Sequence, residues 1–397
     1  MLVIPPGMLP IPADKGGAIE TLATYILDMN EMEEDYLDID VINKTCSIDE
    51  RSDLKYRHAK ILCFRQKKFV RWLYTAFYKS IRAVSCRRIY LPDYYIFCIN
   101  QFIRKNYYDI ILVEGEYLQG LTIKKPLNTR LILHLHTDLL HKQSLRGEAA
   151  VKTYDKIICV SDYIKSRVKE IDERESGKCE VLYNCVDEEE FVLEDSTVSR
   201  IALKEKLHIP SDSKVISFCG RMSVEKGFIH LLRAFLSIER EDLYLLAIGS
   251  NWFGENKTNP YIRELNAVAQ KSKYGNHVIF TGYIPHRNLK PYMESSDIIV
   301  VPSICEEAAS LVVLEAMCSG VPVIASRKGG IPEYMEREAG IFVDVDDCFE
   351  DHLRQAIMEL IDNEEFYHSC KNYLCNNFNR EKYSRMAMYM NFKRLIL

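Results

Sequence analysis

Short apolar-rich runs of strand length recur along this chain, with amphipathic segments between them. Runs of that kind read as strands buried on both faces, because a strand covered by helices has no exposed side to make polar. Leu2–Ile4, Leu37–Ile42, Asp109–Val113, Leu131–His136, Lys156–Val160 and Glu180–Tyr183 form one set. Ala18–Met29 and Ser161–Ile171 are amphipathic and fall between members of it. The alternation predicts βαβ units on a parallel sheet. A polar stretch from Asp187 to about Ser213, with Pro210 near its end, interrupts the pattern. It then restarts with Val215–Cys219, Leu243–Ile248, His277–Thr281, Asp297–Val301 and Pro322–Ala325. At 397 residues the chain is long enough for two domains. The expected architecture is α/β, with two Rossmann-like domains facing each other across a cleft. Residues 1–190 would form the first domain and 191–379 the second. Arg380–Arg394 reads as a helix, and the segment 380–397 is expected to cross back to the first domain.

Composition removes several function classes. The net charge is only −5, with both signs abundant, so nucleic acid is not an expected partner. The 13 cysteines are scattered and include no C-x-x-C pair, which argues against a disulfide framework or a zinc ribbon and for a reducing cytosol. No apolar run approaches the roughly 20 residues that span a bilayer. Met1-Leu-Val-Ile-Pro-Pro-Gly7 lacks the basic and apolar regions of a signal peptide.

The most informative segment follows the run Asp297–Val301. It reads Ser303-Ile-Cys-Glu-Glu-Ala-Ala-Ser-Leu-Val-Val-Leu-Glu-Ala-Met-Cys-Ser-Gly320. Ser310 is a good N-cap and Gly320 a good stop, so a helix is predicted between them. Glu307 then precedes the helix and Glu315 sits on its second turn. The backbone N–H groups at such a helix start, over Ala308, Ala309, Ser310, Leu311 and Val312, can hold a diphosphate. Glu315 can accept hydrogen bonds from ribose hydroxyls and Glu307 from hydroxyls of a sugar, since a carboxylate offers a diol two acceptor oxygens. An isolated pair of glutamates at this spacing is more often two solvated side chains. The surroundings change that balance. Through Gly329-Gly-Ile-Pro-Glu333 the segment resembles the signature of the retaining glycosyltransferases of family 4, which have the GT-B fold and are typified by bacterial group 1 enzymes.

Other segments are similar to the same family. Phe218-Cys-Gly-Arg-Met-Ser-Val-Glu-Lys-Gly227 looks like its G-R-x-x-x-x-K-G element. Arg221 and Lys226 there could neutralise the charge that grows on a departing diphosphate. Thr281-Gly-Tyr-Ile-Pro285 is similar to the loop whose backbone, at Tyr283 and Ile284, reads the base; a plain strand-ending turn is the alternative. Gly16 and Gly17, after the opening strand, match the family's glycine loop at the donor diphosphate and the acceptor. In Leu131-Ile-Leu-His-Leu-His-Thr-Asp138 the family's strand-end histidine falls on His136, with His134 as the alternative. A His-x-His pair can also bind metal, but the sequence shows no third ligand. A structural role remains open for either histidine. Cys159-Val-Ser-Asp162 and Val181-Leu-Tyr-Asn-Cys-Val-Asp187 extend the resemblance over almost the whole chain. Two positions depart from the pattern. Ala308-Ala-Ser310 replaces an aromatic and a glycine, which leaves the sugar unassigned, and Cys185 replaces a glycine.

Between Asp53 and Asp93 there is no acidic residue, while eleven Lys or Arg fall there. At about 100° per residue, Phe69, Trp72, Leu73, Ala76, Phe77, Ile81 and Val84 share one helix face, and Lys67, Lys68, Arg71, Lys79 and Arg82 the opposite one. Residues 55–88 could therefore lie on an anionic membrane surface; a domain helix with a solvated basic face is the alternative.

The resemblance implies a retaining transfer of a sugar from a nucleotide-diphosphate donor, most commonly a UDP-sugar. The acceptor would be a glycan or lipid-linked molecule of cell-envelope or surface polysaccharide synthesis. No cofactor and no metal are expected. The enzyme would be cytoplasmic, or peripheral at the inner face of the membrane. A structural protein of the same fold, such as a spore-coat component, and a nucleotide-sugar epimerase are the rival readings.

Overall fold

The computed structural model describes the chain apart from residues 8, 14–16, 44–55, 65–67, 85–91, 192–196 and 251–259. It divides into two units, Met1–Tyr183 with Met388–Leu397, and Asn184–Ala387. Both are helix-covered parallel sheets, the arrangement that the alternation of apolar runs and amphipathic segments predicts.

The first unit holds β1 (Leu2–Ile4), β2 (Ile39–Asn43), β3 (Ala59–Cys63), β4 (Ile110–Glu114), β5 (Arg130–Leu135), β6 (Lys156–Cys159) and β7 (Cys179–Val181). Their order is β3-β2-β1-β4-β5-β6-β7, and every pairing is parallel. Ile111, Leu112 and Val113 on β4 and Ile132, Leu133 and Leu135 on β5 are all buried. Each such side chain contributes about 1.5–3 kcal/mol of hydrophobic stabilisation, which is why the central strands read as unbroken apolar runs. Residues returning after the second unit complete this one. Tyr389 donates its hydroxyl to Asn30 Oδ1 at 2.8 Å, Lys393 pairs with Asp35 at 2.8 Å, and Phe392 and Ile396 are fully buried.

The helix Lys68–Val84 forms where the basic segment predicts one. Tyr74 anchors it, donating to the Pro92 carbonyl at 2.9 Å and lying against Tyr94 and Phe97. The face predicted to be apolar is exposed: Phe69, Trp72, Leu73 and Phe77 are 69, 64, 47 and 61% accessible. Lys55, Arg65, Lys67, Arg87 and Arg88 lie outside the described residues, as do the side chains of Lys68, Arg82 and Val84. Cys63 is disulfide-bonded, which no cysteine spacing suggests; ten other described cysteines are free thiols. Among the described residues no helix is long and apolar enough to cross a membrane.

The second unit holds β8 (Lys214–Cys219), β9 (Leu243–Ile248), β10 (Val278–Gly282), β11 (Ile298–Val301), β12 (Val323–Ser326) and β13 (Gly340–Val343), in the order β10-β9-β8-β11-β12-β13. These pairings are parallel as well. The predicted helix over 380–394 is interrupted. A 3-10 turn, Arg380–Tyr383, gives way at extended Ser384 to the helix Arg385–Ile396. Cys185 is buried and is not among the residues with positive φ, so this segment does not use the left-handed turn that a glycine there would favour.

Candidate active site

The second unit gathers its candidate residues at the carboxyl ends of its strands, the usual ligand-binding edge of an open parallel sheet. β8 leads through Gly220 and Arg221 into a 3-10 turn, Val224–Lys226, and then into the helix Phe228–Leu236. Gly227, between turn and helix, has φ 68°, and a Cβ there would stand 1.8 Å from the Pro302 carbonyl oxygen. Only glycine lets the Lys226 turn approach the loop after β11 this closely. The amide of Ile304 donates to the Glu225 carbonyl at 3.0 Å, which ties the two loops together.

That junction brings Lys226 and Glu307 into contact. Lys226 Nζ donates to Glu307 Oε1 at 2.8 Å, and the Ser303 hydroxyl donates to the same oxygen. Glu307 is also fixed through its backbone, its carbonyl accepting from the Gly330 amide at 2.7 Å. Gly329 has φ 55°, and a Cβ on it would lie 2.1 Å from the Glu307 carbonyl oxygen, so the Gly329-Gly330 pair serves to seat the glutamate loop. Arg221, the other predicted cation, is half exposed and pairs with Glu225 at 3.3 Å. The helix Leu311–Cys318 starts at Ser310, as predicted, but the serine side chain makes no capping bond. Ala308 and Ser310 are buried, while Ala309, Leu311 and Val312 are partly exposed at the helix start.

Glu315 is buried on that helix, its side chain 6% exposed. Its Oε1 lies 2.9 Å from Nε2 of His286, and Nδ1 of the same ring lies 3.2 Å from Glu190. Tyr283 and Ile284 occupy the turn after β10 that leads to His286, and both are partly exposed.

In the first unit, Gly17 precedes the helix Ala18–Asn30 with φ 108°, and a Cβ on it would meet the carboxylate of buried Glu20 at 2.4 Å. Burial pushes the Glu20 carboxyl above the usual range. Gly16 lies outside the described residues. His136 follows the last residue of β5, and parallel register sets Glu114 of β4 directly beside His134. Glu114 Oε2 lies 2.7 Å from His136 Nε2 and 3.1 Å from His134 Nδ1. This carboxylate supplies the third partner that the sequence alone does not show. The three residues are the one group among those described whose ligand atoms converge enough, within 4.8 Å, to hold a metal ion. Burial pushes His136 down to about 4, helped by the neighbouring imidazole and opposed by Glu114. Glu114, although burial works against its charge, is held at about 2 by the two histidines. The pair is thus a neutral imidazole donating from Nε2 to an ionised carboxylate, which fixes the His136 tautomer.

Two family models match the chain: "Glycosyl transferases group 1" over residues 199–375 and "Glycosyltransferase Family 4" over residues 56–190. Between them they account for well over half of its length. The chain belongs to the group 1 glycosyltransferases. Among curated relatives of the chain is YtcC of Bacillus subtilis, a glycosyltransferase by provisional name, 29% identical over 269 residues, which are 64% of this chain and 65% of YtcC. Another is spore coat protein SA of the same organism, 27% identical over 254 residues, 62% of this chain and 66% of that protein. The chain therefore spans a little under two thirds of the length of these relatives. Among solved structures, Anabaena HepE in complex with UDP-glucose superposes with a TM-score of 0.74 at 17% identity, covering 100% of this chain and 99% of that one. That likeness shows the GT-B fold, with its two Rossmann-like domains.

Several residues around the glycosyltransferase motifs escape sequence reasoning. Ser303 and Glu114 end or follow apolar runs and look like ordinary strand termini. Glu190 and His286 are 96 positions apart in the sequence. A motif in one loop says nothing about partners that only the sheet register or a distant turn delivers.

Proposed function

We propose that this chain transfers a sugar from a nucleoside-diphosphate donor, with UDP-sugars as the first candidates, and retains the anomeric configuration. The observation that carries this is the junction of Lys226, Glu307 and the start of the Leu311–Cys318 helix, with Glu315 one turn further on. A fixed cation, the amides of a helix start and two carboxylates are the chemistry needed for a diphosphate flanked by two polyols. Arg221 and Lys226 would stabilise the departing diphosphate electrostatically. Glu315 would accept from the ribose diol and Glu307 from the transferred sugar. The backbone at Tyr283 and Ile284 would read the base, and Gly16 and Gly17 would meet the donor diphosphate. His136, with its tautomer set by Glu114, would contact the sugar or the acceptor. None of these roles requires a metal. HepE has been crystallised with UDP-glucose, which supports the choice of donor class.

A thermal-shift panel of nucleotide sugars tests the donor, since a ligand at a hundredfold excess over its Kd stabilises by about 2.7 kcal/mol. Calorimetry then tests the roles: Glu315→Gln should weaken UDP itself, and Glu307→Gln mainly the intact donor. Equal losses for both ligands in both variants refute the division. We further propose a glycan or lipid-linked acceptor at a membrane surface, resting on the exposed Phe69, Trp72, Leu73 and Phe77 beside exposed Arg71 and Lys79. Co-sedimentation should show salt-sensitive binding to anionic vesicles and little to neutral ones; indifference to both removes the membrane role. Spore coat protein SA, among the relatives, keeps a non-catalytic role as the second reading, and product formation from donor plus acceptor rules it out.

A further inference from the structure

His286 lies in none of the motifs that carry the donor-site reading, yet it touches the centre of that site. It opens the 3-10 turn His286–Asn288 that follows β10. Its ring lies between two carboxylates brought by different segments, Glu315 at 2.9 Å from Nε2 and Glu190 at 3.2 Å from Nδ1. Phe191 meets the ring edge-on, with centroids 5.6 Å apart and planes at 70°. A carboxylate on each nitrogen requires a proton on each nitrogen, so the geometry is that of an imidazolium. Burial works against the charge, but the hydrogen bonds to Glu190 and Glu315 outweigh it and raise the ring to about 10.

Glu315 would be a poor diol reader without this cation. A carboxylate with no fixed partner can turn about its terminal bond, which spreads its acceptor oxygens over many directions. An imidazolium on Oε1 fixes the plane of the group, leaving the other oxygen and the remaining lone pair of Oε1 as acceptors. We propose that His286, seated on Glu190, is the positioning residue that makes Glu315 select ribonucleotides over nucleotides lacking the ribose diol. This rests on the reading that Glu315 meets the ribose.

The test is calorimetry with UDP and its 2′,3′-dideoxy analogue, and with the GDP and ADP pairs, on the full chain. Hydrogen bonds to a charged group are strong enough that the wild type should prefer the ribonucleotide by about tenfold or more. His286→Gln keeps an amide donor but no charge, and Glu190→Gln removes the negative charge that anchors the ring; each should reduce the preference to about threefold or less. Two folded variants that retain the wild-type preference would overturn the positioning role while leaving the Glu315 reading intact. Glu315→Gln with an undiminished preference would overturn the ribose reading instead. A wild type with no preference, or no binding to any of the six nucleotides, overturns both.

Discussion

Lys226→Met should show that the cation and Glu307 stand or fall as a pair, before any substrate is involved. The Lys226 side chain is 25% exposed and that of Glu307 only 9%. Without the lysine, Glu307 keeps the Ser303 hydroxyl but no positive partner. Truncating one member of a buried ion pair costs about 3–5 kcal/mol. Partial exposure of the lysine and the surviving serine bond put this case lower, at about 2–3 kcal/mol, within the range for hydrogen bonds to charged groups. Glu307→Gln should cost less, because a lysine on a flexible stem can turn its ammonium to water. The double variant should then be more stable than Lys226→Met alone, with a coupling of about 2 kcal/mol. In a unit of this size that is a difference of roughly 4–8 °C in Tm. Calorimetric unfolding of the four ligand-free proteins, with the transitions of the two units resolved, measures it. If the shifts of the single variants add within about 0.5 kcal/mol, the pair is not coupled and the reasoning fails.

Gly329→Ala should lower Tm by several degrees and weaken UDP-sugar binding together, because the new methyl lands on the Glu307 backbone at a φ of 55° and strain of this kind costs about 1–3 kcal/mol. Unchanged donor affinity in that variant would separate the glycine from the glutamate loop. The Glu114–His136 pair predicts a loss of stability on acidification. His136 folds with a pKa lowered from 6.5 to about 4, so its contribution is lost as pH falls through that window. Glu114 folds with a pKa lowered from 4.5 to about 2, so its contribution is present above 4.5 and lost as pH falls towards 2. Glu114→Gln should flatten the pH dependence of Tm below 4.5; a slope equal to the wild type's would refute the coupling.

The parts of the fold that were legible are those where burial on both faces forces apolar composition. β4, β5, β8, β9 and β11 are all of that kind, and each matches a run predicted as a strand to within one residue at either end. β3 and β13 were not predicted, and both sit at sheet edges. An edge strand has one hydrogen-bonded neighbour and keeps a side towards solvent. Ala-Lys-Ile-Leu-Cys in β3 therefore carries an exposed Lys60 and merges with the basic stretch around it. The candidate site divides in the same way. Lys226 and Glu307 stand in turns and loops and Glu315 on the helix that follows Glu307, all within a recognisable residue pattern. Glu114 acquires its role from the β4–β5 register, and His286 from a turn that meets Glu190 and Glu315 across long sequence separations. Such pairings belong to tertiary structure, and no local spacing encodes them.

The return of Met388–Leu397 to the first unit has a consequence for how the chain is made. Asn30, Asp35 and Lys156 wait for partners, Tyr389, Lys393 and the Leu395 carbonyl, which leave the ribosome only after the whole of Asn184–Ala387. Domains generally fold as units while synthesis proceeds from the N-terminus. Here the second unit can finish first, although the other began earlier. The first sheet can form early, but the hydrophobic seat of Phe392 and Ile396 stays open until translation has passed the second unit. A ribosome stalled anywhere in the second unit therefore holds a nascent chain whose opening half still presents apolar surface to chaperones and proteases.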